Sequence, residues 1–349
     1  MKILHILGSD RFSGAENVVC QIIDMFRSDG GIEMAYCSID GEIRNALKEK
    51  NILFFPVTVL NKKELKRVIK SFVPDIIHAH DMRAGFVAAQ ACGSIPLISH
   101  IHNNAFNSRK LTIKSIAYLF AAIKAKHIFW VSKSSFSGYF FHQLFRKKST
   151  VLYNVIDIDA LYKKMQTDSN NYPYEIVYLG RLTYPKNPER SIDVFERVID
   201  MRPQTRIAII GTGELDETIR DLIQKKHLSE NIDMLGFQSN PFKILYDSKV
   251  MIMTSRWEGT PMCALEALSL GVPIVSTAVD GLKDIVKNGE SGYLLESNTE
   301  IAEHCVLLLQ NKDLHDKLSA TAEKNARDIC DIENYRKSLY RIYQRFAKT

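Results

Sequence analysis

The sequence has 349 residues, 46% hydrophobic and 25% charged, which is the composition of an ordinary globular protein. This length allows about two domains and excludes a peptide hormone, a disulfide miniprotein or a largely disordered chain. The formal net charge is only +6, but residues 82–156 contain ten cations and no acidic residue. One local surface is therefore expected to face an anionic partner.

Short apolar runs alternate with helix-length amphipathic segments along residues 1–160, a pattern typical of a parallel α/β domain. The runs predicted to be strands are residues 2–7, 34–39, 52–57, 75–80, 96–101, 127–132 and 150–155. The segments predicted to be helices are residues 14–26, 62–72, 83–91, 112–124 and 134–146. Residues 1–160 are therefore expected to form one Rossmann-like domain.

A polar, non-periodic stretch at residues 161–173 is predicted to be a linker. A second alternation follows it and predicts another parallel-sheet domain over residues 174–330. The strands predicted there are residues 175–180, 206–211, 232–237, 249–255, 273–277 and 292–296. The remaining residues, 331–349, are predicted to be helical.

The six cysteines are scattered singly, without the close pairs that hold zinc or form a redox motif. We therefore expect reduced core thiols. No uninterrupted apolar run reaches the roughly 18–20 residues that a membrane span needs. The N-terminus also has too short an apolar run for a secretory signal, so the chain is expected in the cytoplasm.

The most informative segment is residues 255–271, directly after a predicted strand, where open α/β sheets bind ligands. Thr260 is placed to N-cap the following helix and Pro261 to occupy its first turn. Glu266 stands alone as a charge in an apolar helix, so its carboxylate needs hydrogen-bond donors, such as two sugar hydroxyls. Glu258 is expected to point into the same crevice. The alternative is that Glu258 is solvated and Glu266 pairs with a nearby cation.

A second strand-to-helix turn, residues 178–187, carries Arg181 and Lys186. The free N–H groups and the dipole of a helix N-terminus favour an anion there. A guanidinium and an ammonium together suit a diphosphate. The alternative is two exposed surface cations.

A third turn, residues 209–216, has Gly211 and Gly213 but carries Asp216 where a dinucleotide-binding loop needs its third glycine. This substitution disfavours a nicotinamide-dependent dehydrogenase. The two glycines are instead predicted to form a tight turn against the crevice.

In the first domain, the glycine-bearing loop at residues 8–16 either cradles a phosphate or sugar or only turns the chain. His78 and His80, like His100 and His102, are two residues apart on a strand and therefore share a face. No carboxylate or cysteine accompanies them at ligand spacing, so no metal site is predicted. His78 and His100 are expected to be buried and hydrogen-bonded, whereas His80 and His102 are the functional candidates.

Together these motifs resemble those of the retaining GT-B glycosyltransferases of family 4, the glycosyl transferases group 1. In the first half the resemblance rests on SGAE (13–16), DIIHAH (75–80), HN (102–103) and NVID (154–157), the last with valine in place of the usual glycine. In the second half it rests on GRLTYPK (180–186) and EGTPMCALE (258–266), with DG (280–281) near the family's frequent glycine pair. The E-x7-E pattern of residues 258–266 is the most specific of these motifs.

The resemblance implies two Rossmann-like parallel-sheet domains facing each other across a cleft, with the acceptor on the first and the donor on the second. It implies that the helix in residues 331–349 packs back on the N-terminal domain. The implied catalytic residues are His102, Arg181, Lys186 and Glu258. The implied donor-binding residues are Gly14, Gly180, Arg181, Lys186, Gly211, Gly213, Glu258, Gly259, Thr260, Pro261 and Glu266. The acceptor-side candidates are Ser13, His80, His102, Asn103 and Asn154.

By the same resemblance, Glu266 binds the ribose, Glu258 the hydroxyls of the donor sugar, and Arg181 with Lys186 the diphosphate. His102 is expected to contact the donor sugar. No metal and no other cofactor is predicted, because cations and a helix N-terminus neutralise the leaving nucleoside diphosphate.

The predicted function is retaining transfer of a hexose from a nucleotide-sugar, expected to be a UDP-sugar, to a hydroxyl of a lipid-linked sugar. The expected setting is bacterial capsule, exopolysaccharide or O-antigen biosynthesis. Two alternatives stay open: a nucleotide-sugar epimerase, and a non-catalytic sugar-nucleotide-binding component of a polysaccharide assembly complex.

The basic segment, Met82 to Ile156, interleaves its cations with aromatic residues but contains no nucleic-acid-binding motif, so nucleic acid is not an expected partner. An anionic membrane surface suits it better. Residues 134–148 are predicted to form a helix with an aromatic face and a basic end that lies on the membrane. The protein is therefore expected to be peripheral on the inner face of the cell membrane.

Overall fold

The computed structural model describes residues 1–102 and 108–347 and divides the chain into two compact units. Unit 1 comprises Met1–Asn154 and Ile332–Thr349, and unit 2 comprises Val155–Asp331. Each unit is built on a parallel sheet, so the predicted α/β class is confirmed.

Unit 1 has a seven-stranded sheet in the order β3-β2-β1-β4-β5-β6-β7. Its strands are β1 (Lys2–Ile6), β2 (Glu33–Ile39), β3 (Phe54–Val57), β4 (Ile76–His80), β5 (Leu97–Ile101), β6 (His127–Trp130) and β7 (Ser149–Val151). Its helices are α1 (Gly14–Met25), α2 (Ile43–Glu49), α3 (Lys62–Phe72), α4 (Met82–Ala91), α5 (Ile113–Lys124), α6 (Lys133–Ser137) and α15 (Ile332–Phe346). The central strands β1, β4 and β5 are almost entirely buried, as expected of a parallel sheet with helices on both faces.

The two faces of the unit 1 sheet have different cores. One face carries aliphatic side chains such as Ile77 and Ala79, which pack with α3, α4 and α5. The intervening residue, His78, points to the opposite face. There α15 supplies Tyr343, which is fully buried and whose hydroxyl lies 2.8 Å from His78 Nδ1. Arg336 of α15 also donates a hydrogen bond to the Met25 carbonyl at 3.1 Å.

Unit 2 has a six-stranded sheet in the order β10-β9-β8-β11-β12-β13. Its strands are β8 (Ile176–Leu179), β9 (Ile207–Ile210), β10 (Ile232–Gly236), β11 (Val250–Met253), β12 (Ile274–Thr277) and β13 (Gly292–Leu295). Its helices are α7 (Ile158–Gln166), α8 (Pro188–Met201), α9 (Asp216–Lys225), α10 (Phe242–Asp247), α11 (Met262–Ser269), α12 (Asp280–Lys283), α13 (Asn298–Gln310) and α14 (Lys312–Ile329).

The structure differs from the predicted linker at residues 161–173, because α7 extends to Gln166 and belongs to unit 2. Asp157 caps this helix by accepting a hydrogen bond from the Ala160 amide at 2.8 Å. Leu161 and Met165, one turn apart, are buried. Together with Ile158, they give the helix three buried side chains in an otherwise polar stretch.

The single helix predicted over residues 134–146 is wrong. α6 ends at Ser137, and a separate 3-10 helix runs over His142–Lys148. A capping box between Ser132 and Ser135 starts α6, and the bend after it buries Tyr139 completely. Within residues 1–102 and 108–347, no helix is both long enough and apolar enough to cross a membrane.

Candidate active site

Unit 2 brings two strand-to-helix turns together at the carboxyl ends of β8 and β11. These strands are neighbours in the sheet, although β9 and β10 lie between them in sequence. Such a reversal of strand order leaves a crevice in which open α/β sheets bind ligands. The turn after β8 carries Lys186, whose Nζ donates a hydrogen bond to Oε1 of Glu258 in the turn after β11, at 2.6 Å.

The ion pair between Lys186 and Glu258 is largely withdrawn from water. The Glu258 side chain is 8% exposed and that of Lys186 is 18% exposed. Ser255 Oγ donates a second hydrogen bond to Glu258 Oε1 at 2.6 Å. Burial lowers the pKa of Lys186, but the charge of Glu258, the Cys263 side chain and the hydrogen bond to Glu258 together outweigh it, so that the pKa is raised. Lys186 therefore stays a cation at neutral pH.

Arg181 supplies a second cation on the same turn. Its side chain is exposed, and within the described residues its guanidinium has no hydrogen-bond or ion-pair partner. Its carbonyl accepts a hydrogen bond from the Tyr178 hydroxyl at 3.1 Å, which fixes the backbone at the end of β8. Arg181 and Lys186 thus offer a free and a held cation to an anionic ligand.

Glu266 lies on α11, half-buried and without a described residue that donates a hydrogen bond to its carboxylate. Burial raises the pKa of Glu266 to about 7, although Lys164 works to lower it. The alternative of an ion pair is not seen among the residues that the structure describes. Glu266 can therefore accept hydrogen bonds from the hydroxyls of a ligand.

Two residues directly before Glu258, Arg256 and Trp257, hold the two turns together. The sequence analysis predicted no role for either of them. The Arg256 amide donates to the Pro185 carbonyl at 2.8 Å, and the Arg256 guanidinium lies 4.3 Å from the centre of the Tyr184 ring. The Trp257 ring lies 5.9 Å from the same tyrosine ring. An arginine and a tryptophan immediately before Glu258 were the available signal.

The glycines of the turn after β9 serve close packing against the turn after β8. Gly211 has a φ of +134°, and a Cβ added to it would lie 2.0 Å from the Gly180 carbonyl oxygen. A Cβ on Gly213 would lie 2.2 Å from the Leu182 carbonyl oxygen. These glycines therefore let one turn support the other.

The start of α11 corrects one prediction. Thr260 was expected to cap this helix from its side chain, but the capping position is Pro261, whose carbonyl accepts from the Ala264 amide at 3.2 Å. Thr260 is buried one residue earlier. The preceding residue, Gly259, packs against α12, where a Cβ on Gly281 would lie 1.6 Å from the Gly259 carbonyl oxygen.

Unit 1 has a line of hydrogen-bonded histidines at the carboxyl ends of its central strands. His5 Nδ1 lies 2.9 Å from His80 Nε2, and His80 Nδ1 lies 2.9 Å from His102 Nε2. A neutral imidazole has one donor and one acceptor nitrogen, so His80 must donate to one neighbour and accept from the other. The tautomer of His80 therefore sets the tautomers of His5 and His102.

Burial keeps these imidazoles neutral. It lowers the pKa of both His5 and His102 to about 3. It also lowers the pKa values of His78, His80 and His100 well below their usual range, with smaller contributions from the neighbouring histidines.

Two overlapping groups of three histidines each bring one nitrogen per residue within 4.8 Å of the others. They are His5 with His78 and His80, and His80 with His100 and His102. Imidazole nitrogens suit zinc, copper or nickel. The bonds from His80 to His5 and to His102 already use both of its nitrogens, so a metal would have to replace them.

The other first-domain candidates are spread out. Ser13 precedes α1, and its hydroxyl donates to the carboxylate of buried Glu16. Gly14 begins α1 in unit 1, whereas the other predicted donor-binding residues belong to unit 2. Asn154 is buried at the end of the first stretch of unit 1. Asn103 lies outside the described residues.

Asp81 is a site residue that the sequence analysis missed. It directly follows β4, has a φ of +142°, and accepts hydrogen bonds from the Ala84 amide at 2.5 Å and the Gly8 amide at 3.3 Å. Burial raises the pKa of Asp81 to about 6. A carboxylate at the end of a strand next to two histidines was the signal.

Two sequence profiles cover most of the chain. The profile of Glycosyltransferase Family 4 matches residues 13–160, and that of glycosyl transferases group 1 matches residues 162–325.

Individual proteins are also similar to this chain. An uncharacterized glycosyltransferase of Methanocaldococcus jannaschii is 30% identical over 66% of this chain, which spans 62% of that protein. The Escherichia coli UDP-Gal:alpha-D-GlcNAc-diphosphoundecaprenol alpha-1,3-galactosyltransferase is 26% identical over 94% of this chain and 92% of its own length. The crystal structure of Anabaena HepE in complex with UDP-glucose superposes with a TM-score of 0.86 at 20% identity, covering 99% of each chain.

Proposed function

We propose that this chain, which belongs to glycosyltransferase family 4 and has the GT-B fold, is a retaining hexosyltransferase that uses a UDP-sugar. Its acceptor is a hydroxyl of a lipid-linked sugar, in the assembly of a bacterial capsule, exopolysaccharide or O-antigen. The observation that carries the donor half is the buried pair of Lys186 and Glu258, followed on α11 by Glu266, whose carboxylate has no partner among the described residues.

Each group at this edge of unit 2 suits one part of a UDP-sugar. Glu266 accepts hydrogen bonds from the two ribose hydroxyls, which a two-oxygen acceptor can take together. Arg181 and Lys186 face the diphosphate. Glu258 is held by Lys186 and Ser255 and offers its remaining acceptor capacity to the hydroxyls of the sugar. The HepE complex supports this choice of donor, because that protein binds UDP-glucose.

The chemistry follows from where charge develops. When the bond between the sugar and the diphosphate breaks, the leaving oxygens gain negative charge beside Lys186 and Arg181. A cation that is already held in place stabilises this charge without reorganising, and one such group is worth about 10²–10³ in rate. The acceptor hydroxyl attacks the face that the diphosphate leaves, so the anomeric configuration is retained. We propose that no metal is required.

The acceptor half rests on similarity and on charge. The Escherichia coli relative is named for an acceptor on diphosphoundecaprenol, and it matches this chain over nearly its whole length. The acid-free segment from Met82 to Ile156 belongs to unit 1 except for its last two residues and suits an anionic leaflet. We therefore place the protein at the inner face of the cell membrane, with its acceptor in the bilayer.

A donor panel followed by a transfer assay tests this proposal. Thermal unfolding with UDP-, GDP- and ADP-glucose should show a Tm increase for the uridine donor. UDP-glucose and UDP-galactose would then be incubated with undecaprenyl-diphosphate-linked N-acetylglucosamine in the presence of EDTA. We expect a disaccharide product with an alpha anomeric proton in its NMR spectrum.

Each of the other outcomes contradicts a separate part of the proposal. A product with a beta anomeric configuration would contradict the proposed retention. Loss of turnover in EDTA would contradict the proposed metal independence. Conversion of the donor to its epimer without acceptor indicates an epimerase. Donor binding without turnover on any lipid-linked acceptor indicates a non-catalytic component.

A further inference from the structure

Helix α5 of unit 1 has its amphipathic pattern inverted. Its buried residues are mostly small, and only one of them, a tyrosine, is large: they are Ser115, Tyr118, Ala121 and Ala122. Its large apolar side chains point to solvent instead: Ile113, Ile116, Phe120 and Ile123 are 87%, 50%, 47% and 64% exposed. At 3.6 residues per turn these four lie within an arc of about 80°. We call this stripe the α5 ridge.

Exposed apolar side chains are concentrated around this helix. Of the fifteen large hydrophobic residues that lie exposed in the described residues, seven fall between residues 111 and 144. Besides the α5 ridge they are Leu111, Phe140 and Leu144. Phe140 directly follows Tyr139, whose hydroxyl donates to the Ser115 carbonyl of α5 at 3.0 Å. A concentration of exposed apolar side chains of this kind marks an interaction site.

The charges beside the α5 ridge indicate which kind of partner it binds. Lys114, Lys124 and Lys126 are exposed at or next to α5, and Arg146 and Lys147 are exposed in the following 3-10 helix. No acidic residue occurs from residue 82 to residue 156 to offset them. A second copy of the chain docked through this face would bring like charges together. An anionic lipid bilayer offers an apolar interior to the α5 ridge and negative headgroups to the cations beside it.

We propose that the α5 ridge inserts into the headgroup region of an anionic bilayer, with the flanking cations on lipid headgroups. This inference rests on the proposed lipid-linked acceptor and adds the element that carries unit 1 to it. It also replaces residues 134–148 as the primary membrane element, because that segment is not one helix and its aromatic residues Tyr139 and Phe145 are buried.

Lys148 is not one of the lipid-facing cations. Its Nζ donates to the Ile123 carbonyl at 3.0 Å and to the Ala125 carbonyl at 2.6 Å, which caps the end of α5. Burial, aided by Lys126, lowers the pKa of Lys148. Changing Lys148 would therefore damage the helix as well as the charge, so the charge variant should leave it in place.

The test is flotation of the full chain with vesicles of phosphatidylglycerol and phosphatidylethanolamine, compared with phosphatidylcholine vesicles. The ridge variant is Ile113→Ser with Ile123→Ser, two exposed side chains whose loss leaves the core intact. The matched control is Val59→Ser with Val73→Ser, two exposed β-branched residues elsewhere in unit 1. A charge variant combines Arg146→Gln with Lys147→Gln. Calorimetry with UDP monitors the integrity of unit 2.

We expect salt-sensitive binding to anionic vesicles only. The ridge variant should bind about tenfold more weakly and the control variant like the wild type, because membrane affinity follows inserted apolar area. The charge variant should bind more weakly and lose part of the salt dependence.

Equal binding to both vesicle types, or no binding at low salt, overturns the inference. So does wild-type binding by the ridge variant, or sedimentation showing that the ridge variant converts a dimer to a monomer. Failure to bind UDP would instead contradict the donor assignment and leave the vesicle result to decide the α5 ridge.

Discussion

Units 1 and 2 have sheets of the same strand order but opposite chemistry at the carboxyl ends of their strands. Numbered within its own unit, each sheet runs 3-2-1-4-5-6 over its first six strands. In both, the order reverses between the first strand and the fourth, the position at which such sheets bind ligands. Unit 2 places a lysine and a glutamate across this position, whereas unit 1 places histidines there.

The difference shows what topology decides and what residue type decides. Topology brings His5 to His80 in unit 1 and Lys186 to Glu258 in unit 2. Burial opposes charge in both places. Lys186 keeps its charge because Glu258 is paired with it, whereas a buried imidazole needs only to lose a proton. The same architecture therefore holds a charged edge in one unit and a neutral edge in the other.

Mild acid should affect the two units most differently, because the buried imidazoles of unit 1 would have to take up a second ring proton without a countercharge. The folded pKa of His5 and His102 is about 3, below the value of 6.5 in an unfolded chain. Their stabilisation is therefore complete above pH 6.5 and is lost as the pH falls from 6.5 toward 3. Each loses about 1.4 kcal/mol per pH unit there, so we expect unit 1 to lose several kcal/mol between pH 7 and pH 5.

One group in unit 1 opposes this loss. The pKa of Asp81 is raised from 3.8 to about 6, so its protonation as the pH falls through 6 favours the folded state. The protonation of Asp81 therefore offsets about as much of the free energy of unfolding as one histidine loses. Unit 1 is still expected to become less stable as the pH falls.

The two tryptophans of the chain allow the units to be followed separately. Trp130 is buried in unit 1, and Trp257 lies in unit 2. Urea unfolding of a Trp257→Phe variant at pH 7 and pH 5 reports on unit 1, and a Trp130→Phe variant reports on unit 2. An equal pH dependence of the two signals would contradict the assignment of acid sensitivity to the histidines.

Removing one cation at a time tests the separate roles of Arg181 and Lys186 at the charged edge of unit 2. Arg181→Ala and Lys186→Ala should each lower kcat by about 10²–10³, since each loses a group that faces the leaving diphosphate. Only Lys186→Ala should also lower the free energy of unfolding, by about 2–3 kcal/mol, because it leaves the carboxylate of Glu258 buried without its countercharge and bonded only by the Ser255 hydroxyl.

Lys283→Ala, which removes an exposed cation from α12 of the same unit, is the control. It should change neither kcat nor the free energy of unfolding. Wild-type turnover in the Arg181 or the Lys186 variant would remove that residue from the diphosphate site. Equal stability of those two variants would show that the ion pair contributes nothing to the fold.

The smallest expected effect separates the two glutamates. Glu266→Gln should weaken binding of UDP, which carries the ribose, whereas Glu258→Gln should leave it nearly unchanged. Because the pKa of Glu266 is about 7, its carboxylate fraction rises from about a tenth at pH 6 to about nine tenths at pH 8. The wild type should therefore gain up to about tenfold in UDP affinity over this range, beyond any gain in the Glu266→Gln variant.

Calorimetry with UDP at the two pH values measures both effects, and the Glu266→Gln variant corrects for titration of the nucleotide itself. Equal losses of affinity in both variants would contradict the division between ribose and sugar.

The strands and the residues that follow them could be predicted because both are local in sequence. Apolar runs of strand length alternated with helical segments, and Arg181, Lys186, Glu258 and Glu266 each follow such a run. The line of histidines could be predicted only in part. Alternation puts His78 and His80 on one face, but His5 joins them through the pairing of β1 with β4, which no local pattern specifies.

The α5 ridge could not be predicted from its period. Ile113, Ile116, Phe120 and Ile123 have the spacing of a buried helical face, and periodicity shows which side chains share a face without showing which face is buried. Close packing against α4 selects the small side chains instead, since a Cβ added to Gly85 of α4 would lie 3.5 Å from the Tyr118 ring and 3.7 Å from the Cβ of Ala121. Small residues permit close helix approach, so the large side chains are left outside.

The last helix, α15, gives the chain an unusual order of assembly. Unit 1 begins the sequence, but Tyr343 and Arg336 of α15, which cover its histidine face, are translated only after all of unit 2. On the ribosome, unit 2 can complete its own core as a continuous segment, while residues 1–154 wait with one side of their sheet only partly covered, by α1. The unit that is synthesised first is therefore the last to finish folding.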